Sequence, residues 1–446
     1  MNVAASSPVF VEKPAAKAGL GTVGRVLTLW YLLVMFTVFS LQVGDLRITC
    51  FFALPAALAM FARNINSANR REMWPLALLL GVALLSVIAG KDSEFIGERS
   101  QSFVLFCYSI FMAYALRLEL GRAKRSDVSW ISGWLLSTIM VAAVLERLGP
   151  LKPASDAFRA WNSSYVYAAE RRDLNIAGFI RPSVFTAEPS YAALGIAVFS
   201  FAWFVSTRSR HRVMLFGLVT VFALIIIRSP ILAITLPPAG LVLLAGAFRH
   251  SSRSRRAQRV YFALTVLTFA TILSYFAIGA MTAARGGIAG DQSLAVRLVA
   301  PPRIAAAVLE DSPMLGAGLG GRGALLTEFE TIFHQLDLTR AINSSNNEIR
   351  LPNVFWEHWI YFGLAGGVIA AYAIVRYFRL LCGGNCIAAA LFLFLLANSF
   401  GGYSTPRFWS FATLVLIATA LAREDSAPHR ESDAEIAKAK TVKLRG

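Results

Sequence analysis

The chain has 446 residues, of which 56% are hydrophobic and only 15% are charged, and its formal net charge is +17. A soluble domain is about a quarter charged, so this composition excludes an ordinary soluble enzyme and indicates a polytopic, all-α membrane protein. The excess of lysine and arginine does not indicate nucleic-acid binding, because basic residues in loops set the orientation of membrane proteins.

Residues 1–24 are rich in alanine, serine and glycine and precede the first apolar run. They predict a cytoplasmic tail rather than a cleaved signal peptide. Residues 423–446 are charged and poor in large apolar side chains, which predicts a second, disordered cytoplasmic tail. Between the tails, apolar runs predict 12 membrane spans: 26–43, 46–62, 73–90, 102–118, 128–148, 186–206, 213–228, 230–248, 260–281, 353–378, 385–400 and 405–422.

Most of the 43 lysines and arginines fall on the side of the membrane that holds both tails. The positive-inside rule therefore predicts that both termini are cytoplasmic, in agreement with an even number of spans. Residues 25–422 then form one membrane domain. Its two long loops, about 149–185 and 282–352, are predicted to face the periplasm of a bacterium.

Two proline pairs fall within otherwise helical patterns. Pro301 and Pro302 interrupt residues 294–310, and this segment is predicted to lie on the membrane surface. Pro237 and Pro238 are predicted to break the span 230–248 and to open a lateral groove for a lipid tail. A kink that binds no ligand is the alternative for this second pair.

The stretch RPSVFTAEPSY, residues 181–191, places Arg181 and Glu188 at the edge of a long apolar run. A cation and an acid at the edge of a span are costly, so they indicate a functional site. The alternative is that both side chains lie among lipid headgroups and reach water. The preceding loop combines charges with aromatic rings, which suits sugar binding, although a plain solvated loop has the same composition.

The sequence lacks the usual patterns for nucleotides and metals. Residues 318–323 match GxGxxG by letters, but no strand pattern precedes them, so we predict an irregular turn packed on the spans. No P-loop, HExxH or Asp-x-Asp pattern occurs, and no histidine lies near Cys382 and Cys386. We therefore expect that the protein uses no cofactor and that none of its residues binds a metal ion.

Four features, taken together and in order, resemble the superfamily of bacterial exopolysaccharide and O-antigen polymerases and O-antigen ligases. They are Arg181 with Glu188-Pro-Ser at the entrance to a span, Asp291-Gln-Ser with Arg297 followed by the glycine-rich Ser312–Gly320, Asn353 ten residues before Gly363-Leu-Ala-Gly366, and Pro406-Arg-Phe-Trp409 at the last span.

This chain departs from the ligase branch at one position. The ligases have a histidine before the asparagine, whereas this chain has Pro352. That difference shifts the expectation from a ligase towards a polymerase. It leaves Glu188, Glu348 and His358 as candidates for proton transfer, and Glu188 is favoured because it lies in the 181–191 stretch.

The resemblance implies a C-type glycosyltransferase (GT-C) bundle in the inner membrane. It further implies a metal-independent glycosyltransferase that joins repeat units at the periplasmic face. The donor and acceptor would both be oligosaccharides linked to polyprenyl diphosphate. A flippase and a chain-length regulator of the same pathway, together with the lipid bilayer, are the implied partners.

Charge development on the departing diphosphate calls for arginines, which stay ionised and can bind phosphate oxygens in a bidentate manner. Arg181 and Arg297 are the expected catalytic cations, and Arg303 is a third candidate. The alternative for Arg297 is a helix that binds lipid phosphates. Glu188 is the expected general base, and Asp291 is the second choice.

Asn353, from the third feature, and Arg159 and Tyr165, from the first long loop, are expected to bind the substrate. Two other functions stay open. One is a ligase that uses the same donor and transfers finished glycan to another acceptor. The other is a non-enzymatic flippase for lipid-linked oligosaccharides, although the charges lie in external loops rather than at the midplane of the bilayer.

Overall fold

The structure is a computed structural model that describes residues 18–43, 46–162, 180–247, 253–283, 295–321, 323–336, 338, 353–383, 386–399 and 401–424. Within these ranges the regular structure is helical apart from one short hairpin. In chain order the α-helices are α1 Thr22–Thr37, α2 Leu54–Asn64, α3 Arg70–Ala89, α4 Ile96–Leu120, α5 Arg125–Leu148, α6 Lys152–Asn162, α7 Pro189–Ser206, α8 Arg212–Ile227, α9 Leu236–Ala247, α10 Arg253–Ala283, α11 Ala300–Asp311, α12 Leu326–Gln335, α13 Val354–Cys382, α14 Ile387–Ala397 and α15 Pro406–Glu424.

Six helices in the described ranges are long and apolar enough to cross a membrane: Arg70–Ala89, Ser93–Leu120, Arg125–Leu148, Pro189–Ser206, Arg256–Ala280 and Val354–Cys382. The prediction of a helical membrane protein is confirmed at this level. The other predicted spans correspond to shorter or more polar helices. The number of 12 spans and the GT-C arrangement therefore stay predictions.

The prediction of two spans over 26–43 and 46–62 is wrong at their junction. Helix α1 ends at Thr37, and the chain then forms an antiparallel hairpin of β1 Leu41–Val43 and β2 Leu46–Ile48. The Asn162 side chain accepts a hydrogen bond from the Ser40 amide at 2.8 Å and donates one to the Val38 carbonyl at 3.1 Å. A residue distant in sequence thus supplies the polar partners that let the helix end here.

Both proline pairs lie in the first turn of an α-helix, directly after a helix of another type. The predicted break in the span 230–248 is therefore present, whereas the lateral groove stays a prediction. Pro301 and Pro302 occupy the first turn of α11, where a missing N–H costs nothing. The face of α11 that carries Ile304 and Val308 is buried against α13. The predicted location of this segment at the membrane surface stays a prediction. The span predicted over 230–248 is a 3-10 helix, Pro230–Thr235, followed by α9.

Polar contacts define two opposite ends of the helical bundle. At one end Arg25 pairs with Asp127 at 2.7 Å, and Arg117 pairs with Glu72 near the start of α3. At the far end of α3, about 30 Å away along a helix of 20 residues, Lys91 binds two carboxylates. Its hydrogen bonds to Glu328, the larger effect, and to Asp311 raise the pKa of Lys91 to about 12. The first end is called the tail end below, and the second the loop end.

Helix α7 is the most deeply buried of the long apolar helices, with 83% of its span inside the protein. Phe201 stacks on Phe392 of α14 with ring centroids 4.3 Å apart. Arg125, at the tail end, donates hydrogen bonds to the last carbonyls of α7, including Ser206 at 2.7 Å. These contacts satisfy the C-terminus of α7 and place its N-terminus, at Pro189, at the loop end.

The glycine-rich turn after α11 packs against a break in α13. Gly363 has φ 64° and ψ −164°, which interrupts the helix and exposes its backbone groups. The turn satisfies them: the Leu364 amide donates to the Pro313 carbonyl at 2.7 Å, and the Ala317 amide donates to the Ile360 carbonyl at 2.8 Å. These glycines therefore serve backbone-to-backbone packing, as predicted for the GxGxxG-like stretch.

Replacement of Gly363 by alanine should destabilise the protein strongly. A Cβ atom there would lie 2.5 Å from the Gly316 amide nitrogen, and its positive φ disfavours any L side chain. We expect a loss of about 2 kcal/mol or more, seen as a lower melting temperature in detergent. Gly81→Ala is the matched control, because nothing lies within 4 Å of its Cβ position. Equal melting temperatures for both variants would contradict the packing described here.

Candidate functional site

Residues 181–188 form a tight turn that leads into α7, and a buried carboxylate holds this turn. Glu146 lies near the end of α5 and accepts hydrogen bonds from the amides of Ser183 at 2.9 Å and Val184 at 2.6 Å. Val184 and Phe185 adopt φ values of 50° and 60°, a left-handed conformation that is unfavourable for a β-branched residue. The charge-assisted bonds to Glu146 help to offset this strain.

Helix α6 gives the same turn a second attachment. The Ser155 hydroxyl accepts a hydrogen bond from the Phe185 amide at 3.1 Å, and Arg159 donates to the Ser183 hydroxyl at 3.4 Å. Arg159 also pairs with Asp156. Burial by itself would raise the pKa of Asp156, but hydrogen bonds from Lys152 and Arg159 outweigh it and hold that pKa below its usual range.

Glu188 and Arg297 lie together where the turn meets α7. Arg297 belongs to a short π-helix, Ala295–Val299, that precedes α11. Its guanidinium lies 3.7 Å from the Glu188 carboxylate. The Ser190 hydroxyl links them: it donates to Glu188 Oε2 at 2.9 Å and accepts from Arg297 at 3.5 Å. The Arg297 and Glu188 side chains are 22% and 27% exposed, so both can be reached from outside the protein.

Asn353 fixes the backbone that carries Arg297. Its side-chain oxygen accepts a hydrogen bond from the Trp356 amide and thereby caps α13. Its side-chain nitrogen donates to the Arg297 carbonyl at 2.9 Å and to the Asn398 carbonyl at 3.3 Å. The fully buried amide therefore ties the π-helix to α13 and to Asn398 at the end of α14. The predicted role of Asn353 in substrate binding stays a prediction.

Arg407, a buried arginine of α15, contacts the first turn of α7. The Arg407 guanidinium lies over the Tyr191 ring, 4.8 Å from its centroid. It also donates hydrogen bonds to the carbonyls of Met35, at 2.9 Å, and Phe36 at the end of α1. These bonds satisfy carbonyls that α1 leaves free at its C-terminus. Arg407 thus connects the first and last helices of the bundle to the residue that follows Ser190.

The other predicted site residues have different placements. Arg181 is buried at the start of the turn, seven residues before Glu188, and Arg303 is exposed on α11. Tyr165, Asp291 and Glu348 lie outside the described residues. His358 is buried, and its Nε2–H donates to the Gly367 carbonyl at 2.8 Å while Nδ1 lies 3.2 Å from the Tyr403 hydroxyl. Both ring nitrogens of His358 thus have partners within the protein.

The arrangement combines a cation and a carboxylate, 3.7 Å apart, at the N-terminus of a helix. The guanidinium can bind phosphate oxygens, the carboxylate can accept a proton, and the N-terminus of α7 favours negative charge. Among the described residues, no group of three or more histidine, cysteine, aspartate or glutamate side chains is placed to hold a metal ion. The geometry is therefore suited to a phosphate-containing ligand.

Comparisons with known proteins leave the family open. The chain matches no protein-family model, no curated protein and no solved structure. The resemblance to polysaccharide polymerases and O-antigen ligases accordingly stays a prediction from four short motifs.

Glu146 is the residue of this site that the motifs did not indicate. The sequence held one signal for it, an acidic residue inside the predicted span 128–148. An ionisable residue within a span is a candidate functional residue by default, and its partner should then be sought. That partner is a pair of backbone amides in a turn, which no sequence pattern identifies.

Glu146→Gln should loosen the turn. The amide keeps one acceptor oxygen but presents an NH₂ group to the amide of Ser183 or Val184, so one buried N–H loses its partner. We expect a loss of about 1–3 kcal/mol, measured as a lower melting temperature. Glu94→Gln, at an exposed position, is the control and should leave the melting temperature unchanged. An unchanged melting temperature for Glu146→Gln would contradict this role.

Proposed function

We propose that this protein is a polysaccharide polymerase of the bacterial inner membrane. It would join oligosaccharide repeat units, carried on polyprenyl diphosphate, into longer chains at the periplasmic face. The observation that supports this proposal is the contact between Glu188 and Arg297 at the N-terminus of the buried, apolar helix α7. Arg297 can stabilise a leaving group, Glu188 can take the proton of an attacking hydroxyl, and the two side chains lie next to each other.

Arg297 has the chemistry needed at the leaving group. As the bond between the anomeric carbon and the diphosphate oxygen breaks, its electron pair stays with the departing polyprenyl diphosphate. A guanidinium neutralises this charge and can bind two phosphate oxygens at once. Asn353 holds the Arg297 backbone in place, so little reorganisation would be needed during the reaction.

Glu188 has the chemistry needed at the acceptor. A sugar hydroxyl of the second unit attacks the anomeric carbon and forms the new glycosidic bond, and its proton passes to the Glu188 carboxylate. The products of the reaction are a lengthened lipid-linked glycan and a free polyprenyl diphosphate. The diphosphate linkage supplies the driving force, so the reaction as proposed uses neither a nucleotide nor a cofactor.

The location of the pair agrees with such a substrate. Glu188 lies at the loop end of the bundle, and the rest of α7 is embedded among apolar helices. A lipid-linked sugar has its diphosphate at the same kind of boundary, between lipid and water. In this proposal the loop end faces the periplasm, a flippase delivers the donors, and a chain-length regulator acts with the polymerase.

Arg297→Gln should abolish polymer formation. We expect polymer synthesis to fall at least about 100-fold in a deletion strain that carries the variant, because the leaving group loses its cation. Arg297→Lys should retain part of the activity, since it keeps the charge but not the planar fork. Arg70→Gln, an exposed arginine at the start of α3, is the control and should support normal polymer. The measurement is the length distribution of extracted glycans.

The glycans themselves distinguish the three functions. Loss of a polymerase leaves single repeat units on the lipid and no long chains. Long lipid-linked polymer that fails to reach its final carrier would indicate the ligase instead. Repeat units trapped on the cytoplasmic side would indicate the flippase, and normal polymer with Arg297→Gln would contradict the donor site.

Glu188→Gln should block the attack while leaving the fold intact. Glutamine keeps the size of the side chain and a partner for Ser190 but cannot accept the proton, so we expect a loss of about 10²–10⁴ in rate. The measurement is elongation of purified lipid-linked repeat units by the purified protein. Glu94→Gln, at an exposed glutamate before α4, serves as the control. Near-normal elongation by Glu188→Gln would exclude Glu188 as the base.

A further inference from the structure

The two groups that the proposed reaction needs separately are engaged with each other. The Glu188 carboxylate must be open to an incoming hydroxyl, and the Arg297 guanidinium must bind phosphate oxygens. In the structure the carboxylate lies 3.7 Å from that guanidinium and also accepts a hydrogen bond from Ser190. The Glu188 carboxylate therefore occupies the position at Arg297 where a phosphate would bind, and Arg297 blocks access of a hydroxyl to Glu188.

We propose that the Glu188–Arg297 pair is a latch that the diphosphate of the donor opens. Phosphate oxygens take over the Arg297 guanidinium, and the Glu188 carboxylate is released to face the acceptor. This inference rests on the proposed function, because it assigns the diphosphate of that same donor to Arg297. It adds an order of events: donor binding comes first, and exposure of the base follows.

The geometry favours such an exchange. A charge-assisted hydrogen bond between a guanidinium and a carboxylate is typically about 2.7–2.9 Å long. The Arg297–Glu188 distance is 3.7 Å and the Arg297–Ser190 distance is 3.5 Å, so both contacts are long. Because both charged side chains are partly exposed, solvent screens the pair and weakens it further. A diphosphate carries more negative charge than one carboxylate and can bind the Arg297 guanidinium through two oxygens.

The surroundings restrict the motion to side chains. Asn353 holds the Arg297 carbonyl at 2.9 Å, so the backbone of the π-helix stays in place while the guanidinium turns. Ser190 sits in the first turn of α7, fixed by the neighbouring Tyr191–Arg407 contact. Its hydroxyl is 2.9 Å from Glu188 and keeps that carboxylate oriented after Arg297 has left. Ser190 is therefore a positioning residue for the base.

Binding of a soluble prenyl diphosphate tests the latch without any catalysis. Farnesyl diphosphate is titrated by calorimetry into the full-length protein in detergent, and farnesol serves as the control that lacks the diphosphate. If Glu188 competes for Arg297, Glu188→Gln should bind farnesyl diphosphate roughly three- to tenfold more tightly than the native protein. Ser190→Ala should tighten binding by a smaller factor, because the bridge is lost and the carboxylate remains.

A double-mutant cycle separates the latch from simple charge repulsion. Removal of an acid near an anionic ligand improves binding in any case, whereas a latch acts only through Arg297. The gain from Glu188→Gln should therefore vanish in the Arg297→Gln background. Melting temperatures of all variants verify that each is folded.

The outcomes distinguish the latch from the proposed function. An undiminished gain in the Arg297→Gln background, or no gain at all from Glu188→Gln, would overturn the latch and leave the donor site standing. Equal binding of farnesyl diphosphate by the native protein and Arg297→Gln would instead remove the donor site itself, and the latch with it. Weaker binding by Arg297→Gln together with a gain confined to the Arg297 background supports both.

Discussion

The candidate site depends on two hydrogen bonds, which the backbone amides of Ser183 and Val184 donate to the Glu146 carboxylate. The turn from Arg181 to Glu188 contains two residues with positive φ, and such a backbone persists only where its surroundings hold it. Glu146 provides this from α5, and α6 adds the Ser155 and Arg159 contacts. Because Glu188 ends this turn, its position relative to Arg297 is set by a carboxylate that takes no part in the proposed chemistry.

The polar groups of this protein share a common arrangement. Buried or half-buried arginines and acids bind the ends of helices or the amides of turns: Arg125 binds the end of α7, Arg407 the end of α1, and Glu357 the amides of Gly402 and Tyr403. In an apolar surrounding an unpaired backbone group is expensive, so side chains that satisfy helix ends stabilise the bundle. The Glu188–Arg297 pair differs from these buried contacts, because its two side chains are 27% and 22% exposed.

The glycine-rich turn shows how the external segments are held to the helices. Its carbonyls and amides bond with the backbone of α13 on both sides of Gly363, and Arg99 of α4 lies against Gly318 and Gly321. Such close approach leaves no room for side chains, which explains why glycine recurs there. The contact also joins the segment that carries Arg297 and α11 to α13, whose N-terminus is Asn353, so the site and the packing of α13 are connected.

The amino-acid sequence by itself determined the class of protein, the approximate helices and the residue types at the site, because hydrophobic runs and rare charges at their edges are local properties. It also indicated Glu188, Arg181 and Arg297 as candidate catalytic residues, and the structure brings Glu188 and Arg297 to within 3.7 Å of each other. The sequence did not reveal the hairpin after α1, the helix starts at the two proline pairs, or the roles of Glu146 and Ser190. The end of α1 and the role of Glu146 depend on partners far along the chain, since Asn162 bonds Val38 and Glu146 holds Val184. Only the tertiary structure decided them, because the hydrogen-bond partner of a backbone group in a turn is chosen by packing and leaves no periodic trace in the sequence.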